Sequence, residues 1–374
     1  MRPGGSTTDP PIAVVIAGGG TGGHLYPGIA VAHEIVRRMP GAQVTFAGTA
    51  QGLEARTVPR EGFELDVIRS AGLKGKSLVS RLRGAALIAP GLWDAWRILS
   101  RRRPAVVIGV GGYSSGPVVL MAAMRRRRTL VLEQNAVPGL TNRLLARVVD
   151  AAAVSYTDTL QFFGGRGLVA GNPVRAEFFT FQPAAGGLAP PRVLILGGSQ
   201  GAHAINLAVV AAAADMARST AGLEIVHQTG VRDEQWVREQ YAAAGVRARA
   251  ERFLDPVVPE VMNADLVICR AGATTLAELA AAGRPAVLIP FPAATDDHQR
   301  RNAQVFADAG AAVVIDEREL SASTLATVTR ELLSDRARRE AMAAAMRGLA
   351  RPDAARRIVD CVLELAGVAP GRAH

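Results

Sequence analysis

The chain has 374 residues, 49% of them hydrophobic, which is enough for two domains that each bury a core. Its formal net charge is +10, nearly all from arginine with lysine only at Lys74 and Lys76; this favours polyanionic partners, although an Ala/Arg-rich composition also follows from genome base composition. Two cysteines, Cys269 and Cys361, in no metal or CxxC spacing exclude a disulfide framework, and no apolar run reaches the roughly 18 residues of a membrane span.

In chain order, the first eleven residues, MRPGGSTTDPP, lack an apolar secretory stretch and read as a flexible tail. Val14 to His24 then reads VVIAGGGTGGH, a β-branched apolar run ending in glycines and followed by a helical pattern to Arg38. Glycines suit a backbone that takes positive φ or approaches a ligand closely, and a helix N-terminus just beyond them suits an anion. Gly18, Gly20 and Gly23 satisfy G-x-G-x-x-G, but Gly48 to Gln51 supply no acid for a ribose. A Walker loop is excluded because His24 and Leu25 stand where Lys and Ser/Thr belong. His24 reads as a catalytic or ligand-facing residue, with a structural cap as the other reading.

Strands are expected at Ile12–Ala17, Gln43–Ala47, Glu64–Ile68, Ala105–Val110, Thr129–Leu132 and Ala151–Val154, with helical segments between most of them. That alternation predicts a parallel, doubly wound sheet. Leu73 to Arg103 interleaves Leu78, Leu82, Trp93, Trp96 and Leu99 with Lys74, Lys76, Arg81, Arg83 and Arg97; Arg125–Arg128 follow an apolar run. Basic residues beside Trp and Leu suit an anionic bilayer surface, the alternative being a core-packed helix with a solvated basic face. Gln182 to Pro191 reads as a linker. The pattern then restarts with RVLILGGSQGAH over Arg192–His203, an echo of the first glycine stretch, and strands follow at Leu223–Gln228, Ala248–Phe253, Leu266–Cys269, Ala286–Ile289 and Ala312–Ile315. Helices are expected from Ser321, from Asp335 and over Pro352–Ala366. The fold class is α/β, two Rossmann-like domains facing a cleft, with a ligand at the C-terminal ends of the strands.

Polar and glycine-rich stretches recur after these strands: Gly111–Pro117, Glu133–Asn135, Asn172–Arg175, Gly197–Gly201, Arg270–Glu278 and Asp296–Gln299 with Asn302. Each alone also fits ordinary turn chemistry. Arg175 suits phosphate, and the small residues opening a helix near Ala273 suit an anion, with Glu278 suited to the two hydroxyls of a ribose. There is no D-x-D for a metal-held nucleotide diphosphate, no H-E-x-x-H and no G-x-S-x-G.

Together, GGGTGGH, EQN at 133–135, Asn142, NPVR at 172–175, GGSQG at 197–201 and Arg270–Glu278 with His298 and Gln299 closely resemble the undecaprenyldiphospho-muramoylpentapeptide N-acetylglucosaminyltransferases, which convert lipid I to lipid II in peptidoglycan synthesis. The resemblance implies a glycosyltransferase-B fold and inverting, metal- and cofactor-independent transfer of N-acetylglucosamine from UDP to the C4 hydroxyl of the muramoyl lipid. It implies an acceptor and membrane-associating domain over 12–173, with the helix 352–366 packing back on it, and a UDP-N-acetylglucosamine domain over 190–350. Thr21, Gly22 and Gly23 would meet the sugar–diphosphate end across the cleft, and Asn135, Arg175 and Ser199 would contact sugar or diphosphate. Leu254 would offer backbone to uracil. Ala273, Thr274, Thr275, Leu276, Ala277 and Glu278 would cradle phosphate and ribose, and Gln299 would hold sugar hydroxyls. His298 stands where the family commonly has glutamine. The expected base is His24, with Glu133 as runner-up. The expected partners are the two substrates, an anionic membrane surface through Leu73–Arg103 and Arg125–Arg128, and other cell-wall proteins, with no nucleic acid; the expected place is the cytoplasmic face of the plasma membrane. A UDP-sugar epimerase on the same type of fold, and a non-catalytic basic docking protein, are the alternative readings.

Overall fold

The computed structural model describes residues 12–70, 87–181, 190–198 and 201–368. The expected linker at 182–189, the stretch 73–86 of the basic region, and Ser199 with Gln200 lie outside the described residues. The chain divides into two compact units, one of Met1–Gln134, Pro138–Pro173 and Asp353–His374, the other of Asn135–Val137 and Val174–Pro352.

The first unit holds a seven-stranded sheet of β1 (Ala13–Gly18), β2 (Gln43–Gly48), β3 (Glu64–Val67), β4 (Val106–Gly111), β5 (Arg128–Glu133), β6 (Ala151–Val154) and β7 (Gly167–Val169). The order is β3-β2-β1-β4-β5-β6-β7, and every pairing is parallel. Parallel strands are covered on both faces, which explains why β1 is apolar at successive positions rather than alternate ones. Val14 and Ile16 face one core with Leu25, Ile29 and Ile35 of the helix Gly22–Arg38. Val15 and Ala17 face the other, with Leu99, Val118 and Val119. The C-terminal helix Ala354–Ala366 belongs to this unit; Ile358, Val359, Val362 and Leu363 enter the first of these cores, and Arg38 donates to Asp360 at 2.6 Å.

The second unit repeats the plan with β8 (Arg192–Leu196), β9 (Glu224–Gln228), β10 (Ala248–Glu251), β11 (Leu266–Cys269), β12 (Ala286–Leu288) and β13 (Ala312–Val314), ordered β10-β9-β8-β11-β12-β13 and again parallel. Ser321 caps the helix Ala322–Ser334 by accepting from Thr324 N at 3.1 Å, and Asp335 caps Arg336–Gly348 by accepting from Arg338 N at 2.8 Å, each satisfying an orphan donor of the first turn.

Strand order reverses direction between β1 and β4 and between β8 and β11, the positions at which such sheets leave a crevice beyond their carboxyl ends. The expected strands match within about two residues; β7 is the one the pattern missed, because it is three residues long and only half-buried.

Candidate active site

In the first unit, two glycine turns meet beyond β1 and β4. The register slips at Ala17/Gly18, pairing Gly18 with Gly111. A carboxylate absent from the motif reading holds the first turn. Glu54 is fully buried and accepts from Gly20 N at 2.7 Å, Thr49 N at 2.8 Å and Thr49 Oγ1 at 2.7 Å. Gly19, at φ +146°, has no room for a side chain, since a Cβ there would sit 2.5 Å from the Glu54 carboxyl carbon. The acid sought directly after β2 is therefore present six residues on, serving the turn's own backbone.

Thr21, Gly22 and Gly23 open the helix Gly22–Arg38, with Thr21 and Gly23 exposed and Gly22 half-buried. His24 follows, half-buried, its Nδ1 3.3 Å from Gln134 Oε1. Its ring lies against Gly111 (φ +94°), where a Cβ would stand 2.7 Å from Nδ1. Glu133 is buried and turned into its own loop, with Oε2 accepting from Gly139 N at 3.0 Å and Asn142 Nδ2 at 2.8 Å.

In the second unit, Asn302 is fully buried and ties two stretches together. Its Oδ1 accepts from Ala136 N at 2.9 Å, while its Nδ2 donates to Asn135 Oδ1 at 3.1 Å and to Ala271 O at 3.2 Å. Asn135 is thus brought beside the turn before the helix Ala273–Ala282, which carries Ala273, Thr274, Thr275, Leu276, Ala277 and Glu278. Gly272, with extended φ and ψ, starts that helix and leaves its N-terminus unobstructed by a capping side chain. Arg175 Nη2 donates to Glu278 Oε1 at 2.9 Å, and its guanidinium sits 5.2 Å from the Phe178 ring centroid. Burial lifts the Glu278 carboxyl above its usual range, and the Arg175 charge and hydrogen bond work against that lift.

Leu254 is buried and its N–H donates to Gln228 Oε1 at 3.2 Å, while Gln228 O accepts from Gly197 N at 3.0 Å. Gln228, which motif reading passed over, therefore joins the second glycine turn to the Leu254 loop. Gln299 Oε1 accepts from Phe291 N at 3.0 Å, which turns its amide NH₂ away from that loop. Arg270 pins the same loop by donating to Ile289 O at 3.2 Å and pairing with Glu317 at 2.5 Å. His298 begins the helix His298–Asp308.

On the first unit, the helix Ile88–Arg102 buries Gly91, Ala95, Ile98 and Leu99 and turns Trp93 and Trp96 outward, 56% and 43% exposed. The two indoles stack at 5.1 Å, with the Arg125 guanidinium 5.9 Å from the Trp96 ring and Met124 exposed nearby in sequence. No helix among the described residues is long and apolar enough to cross a membrane.

Two family models match: the glycosyltransferase family 28 N-terminal domain over residues 14–154 and the family 28 C-terminal domain over 192–358. A UDP-N-acetylglucosamine--N-acetylmuramyl-(pentapeptide) pyrophosphoryl-undecaprenol N-acetylglucosamine transferase of Anaeromyxobacter sp. (strain K) is 47% identical, covering 94% of this chain and 92% of its own. The protein of the same name from Myxococcus xanthus is 43% identical, covering 94% and 92%. Among solved structures, MurG of Acinetobacter baumannii superposes with a TM-score of 0.74 at 30% identity, covering 95% of this chain and all of that one. A UDP-N-acetylglucosamine 2-epimerase from Listeria monocytogenes gives 0.69 at 14% identity over 98% and 100%, a likeness of fold alone.

Proposed function

Because the chain belongs to glycosyltransferase family 28, we propose that it transfers N-acetylglucosamine from UDP-N-acetylglucosamine to the C4 hydroxyl of undecaprenyl-pyrophosphoryl-N-acetylmuramoyl-pentapeptide, making lipid II. The observation that carries this is the shared name of relatives 43–48% identical across nearly their whole length. The epimerase reading keeps only a fold likeness.

The second unit supplies the donor machinery in this reading. Ala273 to Ala277 offer the start of a ten-residue helix to the diphosphate, and its partial positive charge acts on the negative charge that develops as UDP departs. Arg175 supplies a full positive charge beside it. Glu278 holds the ribose hydroxyls, Leu254 presents backbone to uracil, and Asn135, Ser199 and Gln299 contact sugar or diphosphate. Burial raises the Glu278 carboxyl, and its ion pair with Arg175 opposes that rise.

The first unit supplies the acceptor side. Thr21, Gly22 and Gly23, at the clamped glycine turn, meet the sugar–diphosphate end of the donor, and His24 takes the acceptor's proton. Glu133 is the lesser candidate for that step because its carboxylate already accepts from Gly139 and Asn142. The reaction is an inverting single displacement that draws on no metal or cofactor. Trp93, Trp96, Met124 and the arginines from Arg125 to Arg128 form the surface that meets anionic lipid, so the enzyme works as a peripheral protein on the cytoplasmic face of the plasma membrane. An amphipathic surface of this kind gains both apolar burial and roughly 1 kcal/mol per cation near the bilayer.

Calorimetry with UDP-N-acetylglucosamine, UDP-glucose and NAD tests the donor site. Binding selective for the first and unaffected by EDTA is expected; a response to NAD alone overturns the reading.

A further inference from the structure

The atoms around His24 determine which ring nitrogen carries its proton. Gln134 is buried, 3% exposed, and its Nε2 donates to Val110 O at 3.1 Å. That bond orients the amide, since the nitrogen must face the carbonyl and the oxygen must face the other way. Oε1 then lies 3.3 Å from His24 Nδ1. An amide oxygen only accepts, so the hydrogen between them belongs to Nδ1. The ring's orientation has a second, independent cause. Its Nδ1 edge lies against Gly111, close enough that any side chain there would displace it.

We propose that Gln134 is a positioning residue that holds His24 as the Nδ1–H tautomer, so that Nε2 carries the lone pair used in the transfer. This rests on the reading of His24 as the base. In the step, the acceptor's C4 hydroxyl proton moves to Nε2 as its oxygen bonds to the sugar's C1. The bond from C1 to the phosphate oxygen breaks, and UDP leaves with the electron pair. The imidazolium that forms keeps its Nδ1–H bonded to Oε1. A neutral amide fixes the tautomer without adding the negative charge with which a carboxylate partner stabilises imidazolium. Glu133 accepts from Gly139 and Asn142, and Glu54 from Gly20 and Thr49.

The test compares the full-length wild type with Gln134→Met and Gln134→Glu. Two-bond ¹H–¹⁵N NMR on histidine-labelled protein reads the tautomer, with His24→Gln assigning the signals. The wild type should show Nδ1–H. Gln134→Met removes the acceptor, and His24 should shift to the Nε2–H form that unconstrained imidazoles favour. Its kcat should fall about 10- to 100-fold, inside the range of general-base contributions, with donor KM within about twofold. Gln134→Glu restores an acceptor and should recover Nδ1–H. Its carboxylate should also move the acid limb of the kcat–pH profile to higher pH, a shift that a merely structural role would not produce. If Gln134→Met does not fold, the wild-type spectrum and Gln134→Glu still decide. Nε2–H in the wild type, or Nδ1–H retained in Gln134→Met, overturns the assignment of Gln134 and leaves the base reading standing. A tautomer that follows Gln134 while the acid limb of Gln134→Glu stays in place overturns His24 as the base and leaves the tautomer lock standing.

Discussion

His24 and His203 end two echoing stretches, GGGTGGH and GGSQGAH, each placed after the first strand of its sheet and at the start of a long helix. Their partners differ in kind. His24 is half-buried and meets the neutral amide of Gln134. His203 is exposed over 64% of its side chain and its Nδ1 sits 2.8 Å from the Asp233 carboxylate. Burial pushes Asp233 upward, but hydrogen bonds from His203 and Asn206 outweigh it and hold the carboxyl below its usual range. Asn206 continues the chain inward, its Oδ1 accepting from the buried His227 at 3.0 Å, while His227 Nδ1 accepts from the Tyr241 hydroxyl at 2.8 Å. His203 is therefore tied to a carboxylate that a buried polar chain also holds, and His24 to a neutral acceptor. Similar local sequence thus takes two kinds of partner, each supplied by a distant part of the chain.

His24→Ala should lower kcat by about 10²–10⁴-fold, the usual range for a general base, while donor KM changes little. Steady-state kinetics with a soluble lipid I analogue measures both. An equal loss in donor affinity would make His24 a binding residue instead.

The next effect lies behind the same turn. Glu54→Gln replaces one oxygen by an NH₂ that cannot accept from Gly20 or Thr49, leaving a buried donor unsatisfied. The cost should be about 1–3 kcal/mol, read as a lower midpoint in urea unfolding at unchanged slope.

What the sequence revealed follows the range of the interactions involved. Strands buried on both faces appear as uninterrupted apolar runs, so both sheets were readable to within a residue or two. The turns carrying Gly18, Gly111 and Gly197 were equally plain, because positive φ and close backbone approach select glycine locally. Glu54 and Gln228 left no comparable signal, and Asn302, though named with a polar stretch, showed nothing of its partners. Glu54 reaches a donor 34 residues away in Gly20, and Asn302 reaches Asn135 across 167, with no fixed spacing to betray either. The role of Gln134 was hidden for another reason: it stood within a recognised polar triplet, but only the Val110 carbonyl decides which way its amide faces. Ser199 lies outside the described residues.

A smaller effect comes from the inner end of the second network. Burial pushes His227 down to about 3, so it is neutral in the folded protein across ordinary pH. An unfolded histidine titrates near 6.5. Between these values the unfolded chain binds the extra proton, so stability falls as pH drops below about 6.5, by up to about 1.4 kcal/mol per pH unit from this group. Above 6.5 the contribution is flat. Unfolding midpoints between pH 4.5 and 7.5 should show that slope in the wild type and a shallower one in His227→Gln. Equal slopes would remove His227 as the group responsible.

The smallest effect tests the outer histidine. His203→Ala deletes an exposed partner of Asp233 but leaves the Asn206 Nδ2 donor, 2.7 Å from the same carboxylate, in place. Exposed pairs contribute about 0–1 kcal/mol, so the unfolding midpoint should move by no more than that, and less at high salt. Turnover should stay within about threefold of wild type, since a change of that size is worth only about 0.65 kcal/mol. A loss at His203 approaching that at His24 would mean that the second turn also presents a reacting or substrate-holding imidazole.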